Sequence, residues 1–326
     1  IGAFALSETE TSDGTVFLLG DGTTWENAGS LIVGNEGTGT LSVLQMASLT
    51  SGESFVGSAA GRSASASVSG AGSRWDVTQN LTIGPATDAM ASTANVEIAA
   101  GASLTVAAGL YVGDAGQFRL TNGAATIGTG PESTVANVLR VWQDGILGGS
   151  GDVFASVVTS GTTSPGASAG TLHVTENFTQ EADGVLAVEI GGTVVGEEYD
   201  QLVIDGTASW DGTLSIELLD GFMPDIGDVF DLATFSAASG NFGSYDGLVI
   251  SESLVLAPQM APTALRLVAA HAGDVNLDGV VDGLDANAVA INWLESGSGY
   301  AAGDANLDGV IDGLDGNLIA IHFGQG

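Results

Sequence analysis

The sequence predicts a mainly β chain in which a parallel β-solenoid, residues 1–270, precedes a small all-α module, residues 271–326. Three observations carry that expectation. Short apolar phrases closed by Gly recur at a spacing of 23 to 29 residues between Gly34, Gly57, Gly84 and Gly113. Helical periodicity is missing over the same stretch. Near the end one phrase is written twice, "GDVNLDGVVDGLD" at 273–285 and "GDANLDGVIDGLD" at 303–315.

The first part is read from its strands. From about residue 15 the chain runs in phrases such as "TVFLLG", "SLIVG", "NLTIG" and "LYVG". Alternation with period two over four to six residues marks a strand, and a following Gly allows a tight turn. The unit apolar-x-(Val/Ile)-Gly stands at Leu31–Gly34, Leu81–Gly84 and Leu110–Gly113, with a shorter form at Phe55–Gly57. Short strands repeating at this length predict stacked coils, each hiding its inward Val, Ile or Leu against the next. A right-handed parallel β-helix is the leading form and a β-sandwich the alternative. In the stretch "LAPQMAPTALRLVAAHA", 256–272, Pro258 and Pro262 interrupt regular pairing, "TALRLVAA" makes a closing strand, and the domain boundary follows near residue 271.

Composition bounds the function. The 326 residues carry 39 acidic side chains against five basic ones, all Arg (Arg62, Arg74, Arg119, Arg140, Arg266), for a net charge of −34. Nucleic acid and anionic membrane surfaces would repel such a chain, so neither is expected as a partner. Charged residues are only 13% and apolar ones 44%, which separates this chain from disordered acidic sequences. Cys is absent, so no disulfide holds the fold. No apolar run approaches the length of about 20 residues that spans a bilayer. The first residue is Ile rather than Met, from which a removed leader and an extracellular or cell-surface location are expected.

The doubled phrase carries the chemistry. Asp274, Asn276, Asp278, Asp282 and Asp285 fall at positions 1, 3, 5, 9 and 12 of a loop, with Gly279 at position 6. Asp304, Asn306, Asp308, Asp312, Asp315 and Gly309 repeat the order 30 residues on. Alternate oxygen donors with Gly at position 6 are the order of a calcium-binding EF-hand loop. Val280 and Val310, at position 7, contribute main-chain carbonyls. Asp285 and Asp315 replace the usual Glu at position 12 and are one methylene shorter. A single helix follows each loop, with apolar positions at Leu284, Ala288 and Ile291 and at Leu314, Leu318 and Ile321. No helix-forming segment precedes either loop.

Loop-then-helix, doubled, with Asp at position 12, resembles a type I dockerin domain over about residues 273–324. The resemblance implies two bound Ca²⁺ ions, a pair of antiparallel helices related by a pseudo-twofold, and docking onto a cohesin-like partner. Family members often carry a Ser-Thr pair at loop positions 10 and 11, with Lys or Arg later in the helix. This chain has Gly283-Leu284 and Gly313-Leu314 and no basic residue there except His322, so an intramolecular or subunit–subunit role stands beside cohesin docking. Pairs of this Gly-Leu-Asp style also resemble those that end secreted planctomycete-type surface proteins. Residues 145–192, with Ser164-Pro165-Gly166, Gly170-Thr171-Leu172, Phe178, Gln180 and Val188-Glu189-Ile190, resemble the β-helix repeats of autotransporter passengers, and 199–235 continues the likeness.

Catalysis is not expected. Asp200, Asp205 and Asp211 lie close in sequence and could pair for hydrolysis, but they read as turn residues. His173 reads as a residue of a rung and His322 as packing. Trp25, Trp75, Trp142 and Trp210 could form a sugar-stacking strip, or serve as core. The resulting expectation is a secreted, calcium-binding structural protein that is not an enzyme. It self-associates into a homopolymeric filament, stalk or surface layer, and the opening "IGAFALSETE" lies as a strand donated to a neighbour. Docking to a cohesin-like protein or binding a polysaccharide is the alternative, and a β-helix carbohydrate-active enzyme comes third.

Overall fold

Residues 4–6, 12–58, 63–85, 93–128, 138–166, 168–296 and 299–326 are described by a computed structural model; Arg62 lies outside them. The Gly-closed phrases become three-residue strands. Leu31–Val33, Ser54–Val56, Leu81–Ile83 and Leu110–Val112 stack in parallel, with Leu31, Ser54, Leu81 and Leu110 in register. They belong to a ladder of ten strands that starts at Phe4–Leu6 and ends at Ala237–Gly240. Two further ladders begin at Asp13–Leu19 and Thr24–Asn27 and run together in the long strands Gly116–Ile127 and Ile146–Phe154. Three strands per coil, paired in parallel with the coils above and below, make a β-solenoid and exclude the sandwich, which is built from antiparallel sheets.

Parity decides what goes inside. Leu81 and Ile83, Leu110 and Val112, and Leu139 and Val141 are fully buried, while the residue between each pair faces out. Each such side chain contributes about 1.5–3 kcal/mol on burial. The closing glycines are required by their backbone. Gly84 has φ +80°, and a Cβ there would stand 2.8 Å from the Asp114 carbonyl oxygen. Trp75 and Trp210 are buried in the core, so the four-Trp strip does not form on the surface. Trp142 is only half-buried and stacks on Tyr111 with ring centroids 5.6 Å apart. The Trp75 indole Nε1 donates to Ser51 Oγ at 2.8 Å, and Ser51 Oγ is 2.8 Å from Ser54 Oγ, whereas the buried Trp210 Nε1 has no hydrogen-bond partner among the described residues.

The two ends differ. Strands Phe4–Leu6, Asp13–Leu19 and Thr24–Asn27 each pair on one side among the described residues. Phe4–Leu6 belongs to the first coil and stacks in parallel on Leu31–Val33 of the second, and Phe4 meets Trp25 edge-on at 5.0 Å. The rest of the expected donated strand lies outside the described residues. At the other end Val229–Thr234 pairs antiparallel with Ala264–His271, which pairs antiparallel with Leu254–Ala261. Pro258 does not interrupt that hairpin, contrary to the sequence expectation, and sits opposite Leu267 in unbroken register. Leu254–Ala261 is an edge strand, where an N–H missing from the outer side costs no ladder bond.

Beyond His271 the chain turns helical. Helix α1 spans Gly283–Ile291 and α2 spans Gly313–His322, with one 3₁₀ turn at Tyr300–Ala302. Asp282 and Asp312 are the N-caps, and each forms a capping box with the Asp three residues on.

Candidate functional site

Each doubled phrase folds into a loop whose carboxylates are tied to main-chain N–H groups. Asp274 Oδ1 accepts from the N–H of Asp278 at 3.2 Å, and Oδ2 from that of Gly279 at 2.9 Å. Asn276 Oδ1 accepts from Asp278 N–H at 2.8 Å, and Asp278 Oδ1 from Val280 N–H at 3.0 Å. Asp285 reaches back across the loop. Its Oδ1 accepts from the N–H groups of Val275 and Asn276 at 2.9 and 3.2 Å, and its Oδ2 from Asp282 N–H at 2.8 Å. The second loop repeats these bonds at Asp304, Asn306, Asp308 and Asp315, except that the Ala305 N–H donates to the Gly303 carbonyl instead of to Asp315. The sharp turn rests on Gly279 and Gly309, at φ +92° and +88°, where a side chain would be strained.

Four of these carboxylates are buried: Asp274, Asp285, Asp304 and Asp315. Burial pushes Asp274 and Asp304 above the ordinary carboxylate range. The N–H groups of Gly279 and Gly309 oppose the shift, and the neighbouring carboxylates of Asp285 and Asp315 add to it. No Lys or Arg follows Arg266 in the chain, so no fixed cation of the module offsets the buried charge. Carboxylate, amide and carbonyl oxygens around a buried negative centre suit a hard divalent cation such as Ca²⁺. Among the described residues, no three Asp, Glu, His or Cys side chains are grouped to hold a metal by themselves. The fit therefore rests on a mixed donor set, in which the Asn276 and Asn306 amides and the Val280 and Val310 main-chain carbonyls would join the carboxylates.

The module has two apolar sides. On one, Val275, Tyr300 and Ala305 bury themselves against Val255, Ala257 and Ala270 of the terminal hairpin, with Leu277 and Leu307 alongside. The Tyr300 hydroxyl donates to the His271 carbonyl at 3.3 Å. Between the halves, Val281 and Val289 pack with Ile311 and Ile319, pairs that the 30-residue repeat relates. His322 is buried at the end of α2, and its Nδ1 has no hydrogen-bond partner among the described residues. On the other side, Leu284, Ile291 and Trp293 and their repeat equivalents Leu314, Ile321 and Phe323 are each more than half exposed. The helical spacing of Leu284 and Ile291 is therefore that of an outward face; the inward positions are Asp285 and Val289.

The other candidates stand apart on the solenoid. Asp200 is fully buried, and its oxygens accept from the N–H groups of Gly170 and Glu189, both at 3.0 Å. Burial raises its pKa to about 7 against the pull of those bonds. Asp211 accepts from Gly212 N–H. His173 Nδ1 lies 2.9 Å from Asp152 Oδ1, while Nε2 lies 3.1 Å from Asp205 Oδ2 without hydrogen-bond alignment. Asp200, Asp205 and Asp211 thus each have separate partners. Partial burial alone would lower the His173 pKa, but Asp152 and Asp205 outweigh it and the net shift is upward. A base whose folded pKa is raised contributes stability that is complete below its ordinary value and lost as pH rises through the folded one. Wild-type melting temperature should therefore fall from pH 6 to 8.5 more steeply than that of His173→Gln. Parallel profiles in differential scanning calorimetry would refute the assignment.

The family model of the dockerin type I domain matches residues 272–322. No curated protein matches the chain. The C-terminal segment is thus dockerin-like and follows a β-solenoid body.

Proposed function

We propose that the chain is a non-catalytic structural solenoid of the extracellular space or cell surface, attached to a cohesin-type protein by its calcium-loaded C-terminal module. In this reading one Ca²⁺ sits in each loop. Asp274, Asn276, Asp278, Asp282, Asp285 and the Val280 carbonyl hold the first; Asp304, Asn306, Asp308, Asp312, Asp315 and the Val310 carbonyl hold the second. The ion neutralises carboxylates that otherwise repel one another, and the loops in turn set α1 and α2.

The observation that carries docking is the exposure of six large apolar side chains in one small module, Leu284, Ile291, Trp293, Leu314, Ile321 and Phe323. Large apolar side chains clustered on one exposed face mark an interaction site, and aromatic anchors supply much of the energy at such sites. Gly283 and Gly313 stand at loop position 10, and at position 11 Leu284 and Leu314 present apolar surface where members of the family often present hydroxyls. Self-association into a filament, stalk or surface layer is the second reading: at the C-terminal end Ala237–Gly240 and Ser244–Asp246 each pair in parallel with one strand only among the described residues, while Val229–Thr234 is covered by the antiparallel hairpin.

The test is calorimetric titration of the full chain against a panel of purified cohesin modules. Wild type should bind at least one in Ca²⁺ and none in EGTA. The double variant Ile291→Asp/Ile321→Asp should weaken that complex by about 100-fold or more, the scale of losing two buried anchors. Binding that survives both the variant and the chelator would sink the proposal, as would a panel with no binder.

A further inference from the structure

The other apolar side of the module carries a separate conclusion. Within each loop, alternate residues point in opposite directions. Positions 1, 3 and 5 turn their oxygens into the loop, onto the N–H groups of Asp278, Gly279 and Val280 or of Asp308, Gly309 and Val310. Positions 2 and 4 turn the other way. Val275 and Ala305, at position 2, are buried against the solenoid hairpin, and Leu277 and Leu307, at position 4, pack beside them. Leu307 also reaches the main core of the solenoid. The backs of both loops therefore form one apolar seat, and its occupant is the hairpin of the same chain.

The seat and the oxygen cluster share a backbone. Asp285 Oδ1 accepts from the N–H of Val275, so a carboxylate assigned to the metal positions the residue that rests on the hairpin. Asp274 and Asn276 both accept from Asp278 N–H, which fixes the peptide just after Leu277. In the second loop Asp315 accepts from Asn306 N–H, beside Ala305, and Asp304 accepts from Asp308 N–H, beside Leu307. Moving these carboxylates apart moves the seat.

We propose that calcium loading of the loops is read out in the end of the solenoid: the metal touches no solenoid residue, yet it holds the terminal hairpin closed through positions 2 and 4 of each loop. The proposal rests on the calcium reading above. Without the ion, the crowded carboxylates separate, Val275, Leu277, Ala305 and Leu307 lose their common plane, and Val255, Ala257 and Ala270 lose their cover. The hairpin depends on that cover. Among the described residues its outer strand Leu254–Ala261 has no second strand beyond it, only the single bridge of Val255 to Val249, and an uncovered edge strand opens readily.

Hydrogen exchange by mass spectrometry on the full chain tests this. On passing from Ca²⁺ to EGTA, exchange in peptides covering 254–271 should accelerate by about tenfold or more, while peptides from the middle coils, 94–127, stay unchanged. Two variants separate seat from metal. Tyr300→Ser and the pair Leu277→Ser/Leu307→Ser should keep calcium binding, read by terbium luminescence, while the hairpin exchanges fast even in Ca²⁺. If exchange in 272–326 responds to calcium and 254–271 does not, the coupling is overturned and the calcium reading survives. If 272–326 does not respond, the calcium reading falls and takes the coupling with it. A hairpin that stays protected in both variants also overturns the coupling.

Discussion

Excess EGTA should unfold residues 272–326 while the coils before residue 229 stay folded. The physical reason is size. Helices α1 and α2 have nine and ten residues, fewer than the roughly 12–15 at which isolated helices become even marginal in water. The small core between them consists of Val281, Val289, Ile311 and Ile319, far too little for independent stability at this length. Against it stand four buried carboxylates with no Lys or Arg in the module. A ligand present at 1,000 times its dissociation constant adds about 4 kcal/mol to the folded state. Two such sites would account for the whole stability of a module this size. Calorimetry should show two transitions in Ca²⁺, of which only one survives chelation, with helical circular dichroism lost at room temperature. Asp285→Ala, which removes the carboxylate spanning the first loop, should reproduce part of that loss in Ca²⁺. One unshifted transition in both buffers would refute the prediction.

The second large effect belongs to the solenoid. Trp75→Ala should destabilise the coils by about 3–5 kcal/mol, the range for deleting a buried aromatic side chain. Trp75 stands in register between Leu49 of the preceding coil and Leu104 of the next, so the cavity would open on two interfaces at once. Its loss also removes the indole donor to Ser51 Oγ, leaving a hydroxyl inside the core with Ser54 as its remaining partner. Because each coil is stabilised by its neighbours, the damage should spread as a broadened transition. Trp142→Ala is the control: that ring lies on the outside against Tyr111, and its removal should cost much less. Urea melts of the two variants decide the point, and equal midpoints would refute the assignment of Trp75 to the core.

What the sequence made legible follows the local rules. Gly34, Gly57, Gly84 and Gly113 marked the coils correctly because a turn beneath a stacked neighbour has no room for a Cβ. Parity placed Leu81, Ile83, Leu110 and Val112 inside. It could not place Trp75 and Trp142, since an indole in "SRWDV" and one in "LRVWQD" have similar neighbours in the chain and differ only in which side of the strand they leave. Pro258 suggested a break because its neighbours along the chain do not reveal that the strand is an edge. The loop oxygens were legible by type and spacing. The outward direction of Leu284 and Ile291 was not, because the residues that take the inward side include Asp285, a carboxylate that a hydropathy pattern counts as surface. The seat on the hairpin left no periodic signal: Val275, Leu277, Ala305 and Leu307 hide between the acids of the loops, and their partners lie on another element.

The parallel stacking of the coils also fixes a length. Ten strands in one ladder, each advancing about 4.8 Å, set the first coil roughly 43 Å from the last. A coil added or lost in the middle would change that distance by one step and leave both ends as they are. The described coils are thus graduated like a ruler, with the calcium-loop module at a fixed number of steps from each of them.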